Sequence, residues 1–420
     1  MVHVSWMSLA ARIRIQVSRL RAAGDGSAGR LRLVYFLYFA ASGVSLPYLS
    51  AYLRGRGFTG DQIGTIQVIP SLLGVFLPPA WALVADLRRD PVPVLRWITA
   101  WAACSALFLP FAATPLTVGA VVFAQSLGGG SVVALLDTVS LDHCRKHPGT
   151  SYSRIRMFGS LGFVALAFAL GWVLTARGGR PGDVVVPATI AGVAVCYALA
   201  ARRLAPAPSA HPERPSWRDL VVLLGNRRLM LLLAACAVHW AACVPYVFWI
   251  GVFVQDLHLA PDVAGSGITA GVLAEIGAML AFPWLDRRFS ARALLALAFL
   301  GSAVRWALLA RATHPAAVVA LQLFHGLTYG LFWPMLMKVL AQMIPGRLRA
   351  TGLALSSAVV FGLGNAVGSK LAGRLYDHYH SVGPLFGWSA AADLAITVGV
   401  VVLLAGGAAR RDVSGVDRGA

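Results

Sequence analysis

Three successive apolar stretches each carry one ionisable residue near the middle: Glu275 in GVLAEIGAML, Arg305 in GSAVRWALLA and His325 in LQLFHGLTYG. A charge at the centre of a membrane helix costs about 2.5–3.5 kcal/mol on the insertion scale. Such residues persist where they face one another or a wet cavity. Helical rise places them roughly 19, 9 and 15 Å from the outer ends of their helices, and the long arginine can reach inward. Burial and a neighbouring opposite charge act on a carboxylate's hold on its proton in opposite senses. Closing and opening such a contact can therefore load and release a proton. A static ion pair tying helices together is the competing reading.

Asp137, with Arg154 and Arg156, forms a second set near one end of its helices. An Asp137–Arg156 salt bridge across the pathway is the expectation; snorkelling to the surface is the alternative. Asp86 with Arg88 and Arg89, and Asp286 with Arg287 and Arg288, stand at helix ends, where a carboxylate can pair in one conformation and release in another. Solvated loop charges would look the same. Among residues in or near the spans, Tyr35, Tyr38, Trp240, Phe248 and Trp249 could stack on a solute, or simply pack. Asn365 suits an interhelical hydrogen bond, Lys338 and Lys370 lie near enough to helix ends to snorkel, and His239 and Asp393 carry little signal alone.

The elements that must hold these residues follow from composition. Of 420 residues, 58% are hydrophobic and 13% charged, where a soluble domain carries about 25% charged. A polytopic all-α membrane protein is the consequence. Twelve spans of about 20 mainly apolar residues are expected over 31–53, 62–85, 94–113, 115–140, 154–176, 183–201, 229–254, 262–283, 291–311, 315–342, 350–373 and 384–407. Turns at Thr114–Pro115 and His314–Pro315 keep neighbouring spans apart. Residues 1–30 read as a basic cytoplasmic segment, 31–201 as a first six-helix bundle, 202–228 as a Pro- and Arg-rich linker, 229–407 as a second bundle and 408–420 as a cytoplasmic tail.

The net charge of +19 comes in short clusters between spans. Lys and Arg favour the N-terminal side of the bilayer by roughly four to one, which puts both termini in the cytoplasm of an inner-membrane protein. No single basic patch points to nucleic acid. The halves echo one another: WALVAD before Arg88 and Arg89 matches PWLD before Arg287 and Arg288, and Pro148-Gly149 matches Pro345-Gly346. Transporters are often built from such repeats. Five cysteines form no CxxC, His143 and His147 beside Pro148 make a poor metal pair, and neither a zinc-protease motif nor a phosphate-binding loop is present. No cofactor is called for beyond an ion gradient, with the proton as the suspected ion.

These features resemble the major facilitator superfamily, and within it the branch of lactose and phenylpropionate permeases. YFLYFAASGVSLPYLSAYL, SRIRMFGSLGF, GVLAEI, QLFHGLTYG and FGLGNAVGSKLAGRLYD carry the likeness over roughly 31–405. The resemblance implies that Glu275, Arg305, His325 and Arg156 form the substrate and proton site, with Asp137 close to the branch's acid in span four. It departs at Thr328, where the branch has a second acid, at Phe163, where it has a stacking tryptophan, and at Ala278 and Ala82. The expectation is a monomeric, proton-coupled symporter of a small organic solute, with Glu275 protonatable and Arg305 its partner. An antiporting exporter and a non-transporting sensor on the same fold are the alternatives.

Overall fold

The computed structural model describes residues 26–206, 217–345 and 348–414. All regular structure there is helical: α1 Gly26–Gly55, α2 Gly60–Arg88, α3 Pro91–Phe111, α4 Pro115–Lys146, α5 Tyr152–Ala176, α6 Val185–Arg202, α7 Arg227–Asp256, α8 Asp262–Arg288, α9 Ala291–Leu309, α10 Pro315–Met343, α11 Thr351–Tyr379 and α12 Gly383–Ser414. Ten of them are long and apolar enough to cross a bilayer. The expected spans coincide with these twelve segments.

The helix starts are written locally. Thr59 and Thr114 close capping boxes with Gln62 and Thr117, satisfying amide donors that the first turn leaves orphaned. Asp90, Asn226, Ser290 and His314 cap α3, α7, α9 and α10 with single side-chain bonds. Pro91, Pro115 and Pro315 follow at the first helical position, where a missing N–H costs nothing. Both Thr114–Pro115 and His314–Pro315 therefore break the chain as expected.

Three expectations change. The 202–228 stretch contains a short helix, Trp217–Leu224, whose Leu223 is buried in one apolar cluster with Leu229 and Leu233. Helix α12 runs through the expected tail to Ser414. Helix α4 continues to Lys146, so His143 is helical and its ring stacks on His147 at 4.2 Å. Residues 1–25, most of the basic N-terminal segment, lie outside the described residues, as do 207–216, 346–347 and 415–420.

Packing repeats with a shift of six helices. α1 packs on α5 and α6 as α7 packs on α11 and α12, and α3 packs on α4 and α6 as α9 packs on α10 and α12. The two sets meet through α1·α7, α2·α11 and α5·α8. Among the described residues, every hydrogen bond between the sets lies at one end. Lys370 bonds Asp61 at 2.7 Å, Asp377 takes the amides of Gly60 and Asp61 at 2.6 and 2.7 Å, Arg54 bonds Tyr376 at 3.1 Å and Thr175 bonds Asp262 at 2.8 Å. At the other end α8 shows no buried residue from Val272 to Ser290. The molecule is shut at the α1–α2 turn and open where both described chain ends lie.

Candidate functional site

Between the two sets lies a cavity of about 400 Å³, lined by Tyr38, Phe39, Arg156 and Phe163 from one and Trp240, Tyr246, Glu275, His325 and Tyr329 from the other. It adjoins a second cavity of about 320 Å³ that shares Tyr38 and reaches Gln67, Gln125, Phe248 and Asn365. Ligand pockets run to about 300–1,000 Å³ with mostly apolar walls and few polar groups, and these walls fit that description.

One wall carries a relay. Arg305 is fully buried. Its Nη1 lies 3.2 Å from His325 Nδ1 and 3.3 Å from Thr328 Oγ1, and its Nη2 donates to Gln322 Oε1 at 2.5 Å. The guanidinium lies 4.1 Å from the Tyr246 ring centre and 4.5 Å from that of Trp306. Those π faces stabilise the charge where, among the described residues, no carboxylate touches it. His325 Nε2 lies 3.4 Å from Glu275 Oε2.

The tautomer follows from donor accounting. Arginine only donates, so His325 Nδ1 accepts and its proton sits on Nε2, facing Glu275. The order is thus Arg305, His325, Glu275. This corrects the direct Arg305–Glu275 pairing expected from the sequence: the imidazole stands between them. Arg305 fixes the tautomer, and His325 presents an N–H to the carboxylate at the cavity wall.

Local winding puts His325 there. α10 tightens to a 3₁₀ turn over Leu321–Phe324 and widens to a π turn over Gly326–Leu331, with His325 at the junction. Such irregular turns are frequent at functional sites. Close approach permits it: a Cβ on Gly330 would lie 2.9 Å from the Glu275 carbonyl oxygen. α11 has its own π turn at Ala358–Leu363.

The opposite wall differs from expectation. Asp137 accepts a hydrogen bond from the Tyr35 hydroxyl, and no ion pair joins it to Arg156 among the described residues. Arg156 instead lies 4.2 Å from the Phe39 ring centre and 5.6 Å from that of Tyr35. The phenol intercepts the carboxylate, and the guanidinium is left facing the cavity with its donors available. Asp137 and Tyr35 stand behind this wall.

The expected gating groups are rearranged too. Asp286 pairs with Lys338 at 2.5 Å, while Arg287 bonds the Pro283 carbonyl of its own helix at 3.0 Å. Arg287 turns back along its own helix, and Lys338 takes the carboxylate next to it in sequence. Asp86 makes no side-chain bond among the described residues, and Arg88 is exposed; the open end holds these groups apart. Lys338 and Lys370, expected to snorkel, are instead paired. Asn365 Oδ1 has no partner among the described residues, so Asn365 lines the second cavity without making the expected interhelical bond there. Trp240 and Phe248 line cavities, whereas Trp249 is buried in the core.

Sequence reasoning missed Gln322, Tyr246 and the His239–Asp393 pair. Gln322 lies one turn from His325 on the same helix face, and this spacing was the available signal. His239 and Asp393 sit in helices far apart in sequence, so only packing joins them.

Membrane-crossing helices in two sets related by a six-helix shift, around a central cavity shut at one end, define a multi-pass transporter of the major facilitator type. The chain belongs to the MFS_1 like family, whose profile matches residues 29–386. It is 29% identical to the maltose permease of Geobacillus stearothermophilus over 375 residues, 89% of this chain and 92% of the relative. It is 24% identical to a probable 3-phenylpropionic acid transporter of Escherichia coli strain K12 over 355 residues, 83% and 91% of the two chains. Its fold matches the crystal structure of the nucleoside transporter NupG with a TM-score of 0.77 at 17% identity, over 90% of this chain and 98% of that one. The protein is a secondary transporter of small organic solutes, not an enzyme.

Proposed function

We propose that the protein carries a neutral, ring-shaped polar solute, a sugar or nucleoside, through alternating access in symport with protons. The observation that carries this reading is the cavity itself, with Arg156 on one wall and the Glu275–His325–Arg305 relay on the other. Aromatic faces such as Tyr38, Trp240 and Tyr329 suit a flat ring or the apolar face of a sugar. Arg156 offers donors, and Glu275 offers an acceptor when ionised. Glu275 takes the coupling proton. Protonation removes the negative charge that His325 Nε2–H faces and turns one carboxyl oxygen into a donor, so the proton and the solute act on the same group. The permease relatives support the solute class.

Both walls come from one chain, which supports a monomeric working unit. The positive-inside bias supports cytoplasmic termini, in a bacterial cell membrane, which makes this conformation open to the cytoplasm. Asp86, Arg88, Asp286 and Arg287 then flank the cytoplasmic mouth, free to regroup when it shuts.

The test is uptake into proteoliposomes of maltose, a nucleoside or 3-phenylpropionate under an imposed pH gradient. Glu275→Gln is expected to abolish gradient-driven accumulation while retaining exchange of solute across the membrane. If the variant accumulated solute as the native protein does, Glu275 would not be the coupling group.

A further inference from the structure

A second ionisable pair lies behind the relay, out of reach of the cavity. His239 of α7 and Asp393 of α12 are both fully buried. His239 Nδ1 lies 2.8 Å from Asp393 Oδ1, and its Nε2 lies 3.3 Å from the Thr328 carbonyl oxygen. Trp306 Nε1 donates to Asp393 Oδ2 at 2.9 Å, and the Thr397 hydroxyl donates to the Asp393 carbonyl at 2.8 Å.

Donor accounting again fixes the protons. At His239 Nε2 the Thr328 carbonyl, at 3.3 Å, is nearer than the Cys243 thiol, at 3.8 Å, and a carbonyl only accepts, so we place a hydrogen on Nε2. A neutral imidazole has one N–H. Its Nδ1 would then turn a lone pair towards a carboxylate at 2.8 Å unless a further proton lay between them. The pair therefore holds that proton, as imidazolium with carboxylate or as imidazole with carboxylic acid, and is neutral overall. Without it, a carboxylate bonded only by the Trp306 N–H would keep its charge in a site with no exposed surface, at a large cost.

The groups facing the pair are few. α7 adds Cys243, 3.8 Å from His239 Nε2. α9 adds Trp306, the ring of Phe299 at 5.1 Å, and Arg305 one residue from Trp306. α10 adds Thr328 and the ring of Phe332 at 4.7 Å. α12 supplies Asp393 and Thr397.

Thr328 joins this pair to the relay. Its carbonyl takes the His239 N–H, its hydroxyl takes the Arg305 N–H, and it lies within the π turn that follows His325. We propose that His239 and Asp393 form a buried proton-holding pair, separate from Glu275, whose proton clamps the π turn of α10 and so keeps His325 seated between Arg305 and Glu275. His239 and Asp393 are positioning residues: they act on the transport site through Thr328. The consequence for transport rests on the proposed site, but the clamp itself does not.

Cys243 supplies the readout. In a full-length chain keeping Cys243 as its only cysteine, the rate of maleimide labelling is measured between about pH 6 and about pH 9.5 and divided, variant by variant, by the thiolate content read from absorbance, because Cys243 touches the pair itself. Asp393→Asn is the reference, because its amide can donate to His239 Nδ1 and accept from Trp306 with no removable proton. The native-to-variant rate ratio should stay near one at the acid end and rise several-fold at the alkaline end, as the native pair loses its proton and the turn loosens. The same rise should persist with Glu275→Gln. His239→Gln, which removes the imidazole, should show no alkaline step beyond thiol chemistry. A flat ratio, a step abolished by Glu275→Gln, or a step retained in His239→Gln would each overturn the proposal. Labelling requires no solute and no gradient, so a failed uptake experiment and a failed clamp are separate results.

Discussion

Substituting Gly64 or Gly373 should unlatch the shut end. A Cβ on Gly64 of α2 would lie 2.4 Å from the Ser369 carbonyl oxygen of α11, and one on Gly373 would lie 2.3 Å from the Gly60 carbonyl oxygen. Both obstacles are backbone, so no side chain can swing aside. The helices must separate, and overpacking of this kind costs about 1–3 kcal/mol. That cost falls on the shut end and is relieved when the end opens. At about 1.4 kcal/mol per factor of ten, Gly64→Ala or Gly373→Ala should shift the balance between open and shut by roughly 5- to 150-fold.

The assay is labelling of a single cysteine placed at Ser42, which lines both cavities, with a maleimide that cannot cross membranes. Applied from the side of the α1–α2 turn, the reagent should react faster with either alanine variant by a factor in that range. Gly74→Ala is the control, since a Cβ on Gly74 meets nothing within 4 Å. It should not raise labelling from that side. Folded Gly64→Ala and Gly373→Ala proteins that label like the native chain would refute the reasoning.

Further outcomes follow from the site and its surroundings. Arg305→Lys should lose solute accumulation and about 1–3 kcal/mol of stability in thermal melts, because a compact ammonium cannot reproduce the fork that reaches His325 and Thr328 from Nη1 and Gln322 from Nη2. Asp286→Asn breaks a half-exposed pair and should change stability by no more than about 1 kcal/mol, with transport altered only through the open mouth. Asp183, in the α5–α6 turn, is bonded by Arg177 at 2.8 Å and by the Val185 amide at 2.9 Å, and the Arg177 guanidinium chiefly holds its carboxyl below the usual carboxylate range. The native advantage over Asp183→Asn should be present above about pH 4 and vanish as the pH falls through the depressed value. Melts at neutral and strongly acid pH measure it, and the difference should be small, because solvent screens the half-exposed Arg177.

The fold was legible because its determinants are local. Span length, the Thr114–Pro115 and His314–Pro315 turns and the capping residues act within a few residues of themselves. The site was legible only in part. Glu275, Arg305 and His325 stood out because an isolated ionisable residue in an apolar run is costly, but cost does not name a partner. Glu275 and Arg305 carry complementary charges, yet the 3₁₀-to-π change in α10 sets His325 between them, and no periodicity announces that change. Asp137 and Arg156 looked like a pair for the same reason, until Tyr35 from α1 took the carboxylate. His239 and Asp393 lie 154 positions apart and become partners only through the packing of α7 on α12.

The shut end explains how a small solute and a proton can command so large a movement. The seam is tight where glycines meet backbone, in α2·α11 and again where Gly251 of α7 meets the Pro47 carbonyl of α1. A tight fit makes the shut state well defined, yet the ion pairs in the polar latch over it are weak. Asp61 with Lys370 and Arg374 is a half-exposed cluster, and each exposed pair of this kind contributes about 0–1 kcal/mol. Carrying the equilibrium from 1:99 to 99:1 needs about 5.5 kcal/mol of differential binding. A solute spanning Arg156 on one wall and Glu275 on the other contacts both helix sets at once, so its binding energy depends directly on how they are tilted. Neutralising Glu275 alters that same contact. The latch need only be weak enough for one occupant to overcome it, and half-exposed ion pairs provide that, whereas a buried ion pair at the seam would hold the end shut against both solute and proton.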